Sequence, residues 1–476
     1  MQSALQKTSF LLILLIGSFL YVNFILKIGD LSSKWQLVIF CLICVPVILL
    51  RLSNLKKILL IGLILSIPFT YLDISFFHNP KIPADFRINI SITDLFVGCF
   101  LILGLYKIFV YKNYSVYFPK FLAIGVAGLL TVSALSIMNA PIKLLGFFEW
   151  LRLLKMVFLL VVILNVINTI DDLSLILKIL LLALIIQSFL GIAQHFAGGY
   201  LGLGILGENM DIRSFATHTR IGGTLGHPNR LAMFLEMHLP VALAVLLFYR
   251  DYKMKLLGAL AFLSGTTTLI FTLSRGGWGG LIFSTCVVLY YFYRKTQNKK
   301  LLLRVLFLIV AGLSILAALF SGPLMDRLFT SDGGSALSRI ELAKLAMNVI
   351  KKYPLIGGGI GNYVFYLPVT VFPFKLFEET AKVHNLYLLL TAEMGLLATL
   401  FYLYLLFTTL AKTYKRLKSC CANFIVNIFL IGGLAGLSSF AIHCLVDYVD
   451  INRWPILWVY IGLLLVANKL SFKWVR

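Results

Sequence analysis

Three stretches of this chain group arginine, histidine and glycine in patterns suited to gripping an anion and moving a proton. The first is Arg220-Ile-Gly-Gly-Thr-Leu-Gly-His-Pro-Asn229-Arg230. Gly222, Gly223 and Gly226 let backbone approach a ligand closely, and Pro228 with Asn229 suits a helix start, where free N–H groups and a nearby arginine attract phosphate. An ordinary glycine-rich turn with Arg220 and Arg230 on lipid headgroups explains the same residues. The second is Thr272-Leu-Ser274-Arg275-Gly-Gly-Trp278-Gly-Gly280, an arginine between two apolar runs with almost no hydrophilic linker. Arginine near bilayer depth costs at least about 2.5 kcal/mol on insertion scales, so it normally faces a polar cavity or a partner. Snorkelling to the interface beside Trp278 is the alternative.

The third stretch is Val383-His384-Asn385, with Glu393, Met394 and Gly395 one to two turns further along the same helix. A histidine at a helix mouth feels the positive end of the dipole, which favours a neutral ring with a nitrogen available as a base. A plain interfacial histidine beside a helix cap is the simpler reading. Glu393 reads either as a buried partner or as a pair for a neighbouring span. Asp447 and Asp450 are placed to orient the base or pair with an arginine, or are simply surface acids. His195, His218, His227, His238 and His443 lack H-E-x-x-H or comparable spacing, so no metal or cofactor is expected. Cys41-x-x-Cys44 sits inside an apolar run without a partner pair and is assigned no role.

The elements that must position these residues are membrane helices. Hydrophobic residues make up 60% of the 476 and charged residues 13%, against about a quarter charged in a soluble domain. Apolar runs of about 20 residues recur from Ser9 almost to the end, leaving no room for a separate soluble domain. Spans are expected near 9–27, 35–50, 58–75, 93–111, 120–138, 145–167, 174–195, 229–249, 254–273, 277–293, 302–321, 386–411, 423–446 and 454–470. The stretch from Lys7 to Ile25 is not followed by a small-residue cleavage site and reads as the first span. Residues 1–476 therefore form one integral membrane domain.

Forty-two Lys and Arg against nineteen Asp and Glu give +23, a balance that in a soluble protein points to nucleic acid. Here the excess sits in short connections: Arg51, Lys56 and Lys57; Arg250, Lys253 and Lys255; Arg294 to Arg304; Lys412 to Lys418. The positive-inside bias makes those cytoplasmic, beside membrane lipids, and puts both termini inside, with no nucleic-acid partner. It leaves the segments 196–228 and 322–385 on the outer face. In the second, Ser338 to Glu341 reads as a capping box, followed by Leu342, Leu345, Ala346 and Val349 at helical spacing. Pro354 and Gly357-Gly-Gly359 stop that short amphipathic helix, which is expected on the bilayer surface or over a cavity between spans.

Taken in order, these motifs resemble the O-antigen ligase and polymerase superfamily, membrane glycosyltransferases acting on undecaprenyl-diphosphate glycans. The resemblance is carried by Arg220 with the following Gly-Thr-Leu-Gly-His-Pro-Asn229, by Ser274-Arg275-Gly-Gly, by Pro354-Leu-Ile-Gly-Gly-Gly, and by His384-Asn385 preceding Glu393-Met-Gly395. It covers roughly 220 to 395. It implies an all-α polytopic membrane protein of the GT-C type with 12–14 transmembrane helices, located in the bacterial inner membrane, its periplasmic cavity receiving a lipid-linked donor and an outer acceptor.

Carried over by residue, the resemblance makes Arg220 and Arg275 the holders of the donor diphosphate and His384 the base. Asn229, Arg230, Ser274, Arg339, Asn385, Glu393 and Asp447 support them. Guanidinium groups in a water-poor cavity stabilise the charge on a departing diphosphate without a metal, while His384 takes the acceptor hydroxyl's proton, giving inversion. The partners implied are an undecaprenyl-diphosphate-linked glycan and a lipid A core or other glycan acceptor. Arg327, Arg339, Lys344, Lys351, Lys352, Lys375 and Lys382 in the outer loop lean toward an anionic acceptor. A polymerase and a protein O-oligosaccharyltransferase share the motifs. A transporter or flippase differs in placing ionisable groups near the midplane.

Overall fold

The computed structural model of the chain describes residues 54–69, 73–76, 88–111, 115–208, 220–319, 322, 335–366, 382–419 and 423–472. The expected spans 9–27 and 35–50 lie outside the described residues, as do Cys41, Cys44, His218, Arg327 and Lys375. Thirteen α-helices are present among the described residues. They are α1 (Leu55–Ser66), α2 (Ile92–Tyr111), α3 (Lys120–Ser136), α4 (Lys143–Val166), α5 (Ile170–Phe196), α6 (Pro228–Phe248) and α7 (Tyr252–Phe271). Then follow α8 (Arg275–Thr296), α9 (Lys299–Leu319), α10 (Ser335–Lys352), α11 (Leu386–Lys418), α12 (Phe424–His443) and α13 (Pro455–Phe472).

Each expected span that falls on described residues contains a helix. Two differ in extent. The helix in the span expected at 58–75 stops at Ser66, ahead of Pro68, which has no N–H to continue the helical hydrogen bonds. Beyond it, β1 (Asp73–Phe76) pairs antiparallel with β2 (Ile88–Ser91), Ile74 opposite Ile90, a small ribbon added to the all-α architecture. At the other extreme α11 runs past 411 to Lys418. Seven of the helices are long and apolar enough to cross a membrane by length and composition. α4 is not among them, since Glu149, Arg152 and Lys155 interrupt it near its middle.

Local sequence sets the helix starts that matter here. Pro228 occupies the first turn of α6, where its missing N–H costs nothing, and His227 Nδ1 accepts from Asn229 N. The Ser274 side chain caps α8 through Gly277 N, and Asn385 caps α11 through Leu388 N at 2.9 Å. α6 and α12 are buried along nearly all their length and pack on each other, with α7, α8 and α13 around them; α3 lies along α11.

The amphipathic helix expected in the second loop is α10. It begins at Ser335, so Ser338 lies inside its first turn and is not the cap that the Ser338–Glu341 spacing predicts. Its apolar face, Leu342, Ala346 and Val349, is buried with Tyr363, Val383, Leu389 and Ala392, so it packs over the end of the bundle against α11. The helix ends at Lys352, ahead of Pro354, as predicted.

Candidate functional site

The starts of α6, α8 and α11 and the end of α12 meet at one end of the bundle. There a continuous hydrogen-bonded chain joins four of the residues singled out by sequence. Arg220 Nε donates to Thr272 O at 2.9 Å, and its Nη2 to Asn229 Oδ1 at 2.7 Å. Asn229 Nδ2 donates to Asp447 Oδ2, and Asp447 Oδ1 lies 3.1 Å from His384 Nδ1. The Tyr448 ring stands edge-on to the imidazole, with centroids 5.7 Å apart.

Backbone contacts hold this arrangement. Leu386 N donates to Cys444 O and Asp447 O, and Asn385 Nδ2 donates to Leu445 O at 2.9 Å, so the loop bearing Asp447 is fastened to the start of α11. Asp447 is 4% exposed. Burial alone would raise its carboxyl, but the His384 hydrogen bond and charge, the His443 charge and the Tyr448 N–H outweigh it and hold the group at about 2. An ionised Asp447 can only accept, so Nδ1 of His384 carries its proton and a neutral ring exposes Nε2 as the basic nitrogen. The carboxylate thus selects the tautomer, a device that the helix-dipole argument did not contain.

Arg275 is the first residue of α8 and is exposed at the same mouth. Its neighbours tie it there. Thr272 receives Arg220, and Gly276 lies against the His443 ring so closely that any side chain would collide. Leu273 holds φ of 52°, an uncommon conformation for a branched residue that turns the chain sharply between α7 and α8. Arg339 of α10 is near enough for its charge to act on His443, and its buried Nε has no hydrogen-bond partner among the described residues. Arg230 turns away from Asn229 toward Asp450.

Two sequence readings change. The glycines at 222 and 223 were expected to let backbone approach a ligand. Instead the turn is buried, Gly223 N donates to Gln194 Oε1 at 2.8 Å, and a side chain at Gly223 would press on Gln187. The close approach is to α5, and the stretch buttresses Arg220. Glu393 likewise turns out to hold backbone: its Oε2 accepts Gly361 N at 3.0 Å and its Oε1 Tyr363 N at 3.4 Å. Gly395, with φ of 82°, breaks α11, and the 354–359 loop fills the gap. Gly358 N and Gly359 N donate to Ala392 O and Glu393 O, while Leu396 N and Leu397 N donate to Pro354 O and Leu355 O. The Gly-Gly-Gly and Glu-Met-Gly motifs are thus two halves of one joint beneath the site.

Sequence reasoning missed two buried carboxylates. Glu236, fully buried on α6, is hydrogen-bonded to His443 Nδ1 at 3.0 Å, one helical turn before Asp447. Glu149 on α4 accepts from Arg152, Arg453 and Asn452. Both carried a signal that was available, an acid inside an otherwise apolar run.

The helices and their apolar surfaces define a multi-pass membrane protein with a polar site at one end. Residues 259–403, which contain Arg275, His384 and Glu393, match the family model described as O-antigen ligase, and the superfamily resemblance of the motifs is supported on that segment. No curated protein matches the chain.

Proposed function

We propose that this protein is a membrane glycosyltransferase that moves a glycan from undecaprenyl diphosphate to an acceptor on the outer face of the bacterial inner membrane, in the manner of an O-antigen ligase with a lipid A core acceptor. The observation that carries the reading is the Asp447–His384 pair at the mouth where Arg220 and Arg275 also lie. In it, His384 Nε2 accepts the acceptor hydroxyl's proton as oxygen attacks the anomeric carbon. Asp447 holds the ring and stabilises the imidazolium that forms. The bond from that carbon to the diphosphate oxygen breaks on the opposite face, which inverts the centre. Arg275 takes the charge developing on the leaving diphosphate, with Arg220 beside it.

Arg220 has a second duty in this scheme. Nε and one terminal nitrogen are committed to Thr272 and Asn229, so it also sets Asp447 through Asn229. The cation-rich connections Arg250–Lys255, Arg294–Lys300 and Lys412–Lys418 all lie at the opposite ends of the helices that open the site, which supports an outward-facing mouth.

The test is to supply purified protein with a defined undecaprenyl-diphosphate glycan and, separately, lipid A core, a second lipid-linked repeat and a serine-bearing protein. Product masses distinguish ligase, polymerase and protein glycosylation. Vesicle uptake of the lipid-linked glycan with no product in any arm replaces this reading by a flippase.

A further inference from the structure

Asn229 and Glu236 stand two turns apart on one face of α6, and Asp447 follows His443 by one turn where α12 ends. The two helices meet through these residues as through two rungs. Asn229 Nδ2 donates to Asp447 Oδ2, and one level deeper Glu236 Oε2 lies 3.0 Å from His443 Nδ1. The deeper rung is shut off from solvent, with the Glu236 side chain 0% and the His443 side chain 1% exposed. Backbone ties it to the upper one. His443 O accepts Val446 N at 3.0 Å and Asp447 N at 3.1 Å, so the residue bearing this second imidazole also turns the chain that presents Asp447.

A third helix is seated on the lower rung. Gly276 and Gly280 lie one turn apart on α8, directly after Arg275. A Cβ on Gly276 would collide with His443 Nε2, and one on Gly280 would collide with Glu236 Oε2 and crowd Ser439 Oγ. Small residues at this spacing let helices approach closely, and here the approach is onto a hydrogen-bonded polar pair. A carboxylate inside a membrane helix is costly, and an apolar side chain of the same size would pack these helices without that cost.

From this we infer that Glu236 and His443 are positioning residues, whose hydrogen bond sets where the start of α8, and with it Arg275, stands relative to Asp447 and His384. The inference rests on the glycosyl-transfer reading above, in which Arg275 holds the diphosphate and His384 takes the acceptor's proton. Both members of the pair are buried and act through the groups they hold. Inversion requires the attacking oxygen, the anomeric carbon and the leaving oxygen in line, and a misplacement of about 1 Å slows such a step about a hundredfold. The long Arg275 side chain still reaches a diphosphate after a shift of that size. The pair therefore governs the rate at saturation and leaves donor affinity alone.

The test uses the full chain in detergent, with farnesyl diphosphate affinity from calorimetry and single-turnover rates at saturating undecaprenyl-diphosphate glycan and acceptor. Glu236→Leu keeps the volume, removes the hydrogen bond and leaves a histidine that can stay neutral. Its rate should fall about tenfold or more, with farnesyl diphosphate affinity within about threefold of the parent's. Glu236→Gln keeps a partner for Nδ1 without the charge, since an amide both donates and accepts, and its rate should stay within about threefold of the parent's. Gly276→Ala, which presses on the pinned ring, should behave as Glu236→Leu does. Thermal melts certify folding, and Gly276→Ala decides if Glu236→Leu unfolds.

A folded Glu236→Leu that turns over at the parent's rate overturns the inference. So does a rate loss in Glu236→Gln as deep as in Glu236→Leu, which would assign the pair an effect of charge, and so does a rate loss matched by an equal loss of farnesyl diphosphate affinity. Unfolding of both Glu236→Leu and Gly276→Ala confines the pair to stability and overturns it as well. A parent that forms no product with any acceptor strikes the glycosyl-transfer reading itself, and the positioning role with it.

Discussion

His384 Nδ1 and Asp447 Oδ1 lie 3.1 Å apart although 63 residues separate them, and the carboxylate is the more buried of the two. That geometry fixes which imidazole nitrogen is free to act. Asp447→Asn keeps the shape but lets the ring adopt the other tautomer, so the rate of glycan transfer should fall about a hundredfold or more while acceptor and donor still bind. Single-turnover rates with saturating substrates measure it; an unaltered rate would remove Asp447 from the mechanism.

Asn229 is the link between Arg220 and Asp447. Replacing it by alanine leaves a guanidinium nitrogen and a buried carboxylate oxygen each short of a partner. The melting midpoint in detergent should drop by the equivalent of about 1–3 kcal/mol. Transfer should slow as well, because Asp447 keeps His384 and the Tyr448 N–H but loses the anchor on its other oxygen. A variant that melts like the parent would mean that the link carries no strain or stability.

The joint at Gly395 gives a test unrelated to charge. Its φ of 82° is unfavourable for any residue with a side chain, and a Cβ there would run into the Leu355 carbonyl. Gly395→Ala should cost about 2 kcal/mol or more, as strain and collision add. Loss of folded protein on size exclusion is the extreme form of the same outcome; normal yield and midpoint would refute the joint.

Acid should reveal both aspartates of the 447–450 turn. In Asp450, burial opposes the charge but Lys382 and Arg453 outweigh it, so both groups sit at about 2 against an ordinary 3.8. A lowered folded value means that the stabilisation is whole above about pH 4 and disappears as pH falls toward 2. Each contributes about 2 kcal/mol at neutral pH. Stability measured from pH 5 to pH 2 should therefore fall less steeply in Asp447→Asn and Asp450→Asn than in the parent.

Much of this was legible in the sequence, for reasons that differ by residue. Helices such as α5 and α6 follow from long, mostly apolar runs, and Arg220, Arg275 and His384 stand out because polar groups are rare beside such runs. Asp447 reads equally as an acid that orients the base and as a surface acid, since its partners, Asn229 and His384, come from distant parts of the chain that only folding brings together. Glu393 and Gly357 to Gly359 were visible as a motif, but their work is backbone hydrogen bonding across a broken helix, which residue types do not encode. Glu149 and Glu236 were visible and passed over. Pro68 was visible too, and it cut short the helix expected over 58–75.

In the proposed mechanism His384 and Arg275 act on one lipid-diphosphate donor. The most direct measurement is transfer of a defined undecaprenyl-diphosphate glycan to an acceptor by purified parent, His384→Ala and Arg275→Ala proteins of matched melting midpoint, with product counted by mass spectrometry. The parent should yield product, and each variant should lose about a thousandfold or more. Parental turnover by both variants would contradict that mechanism.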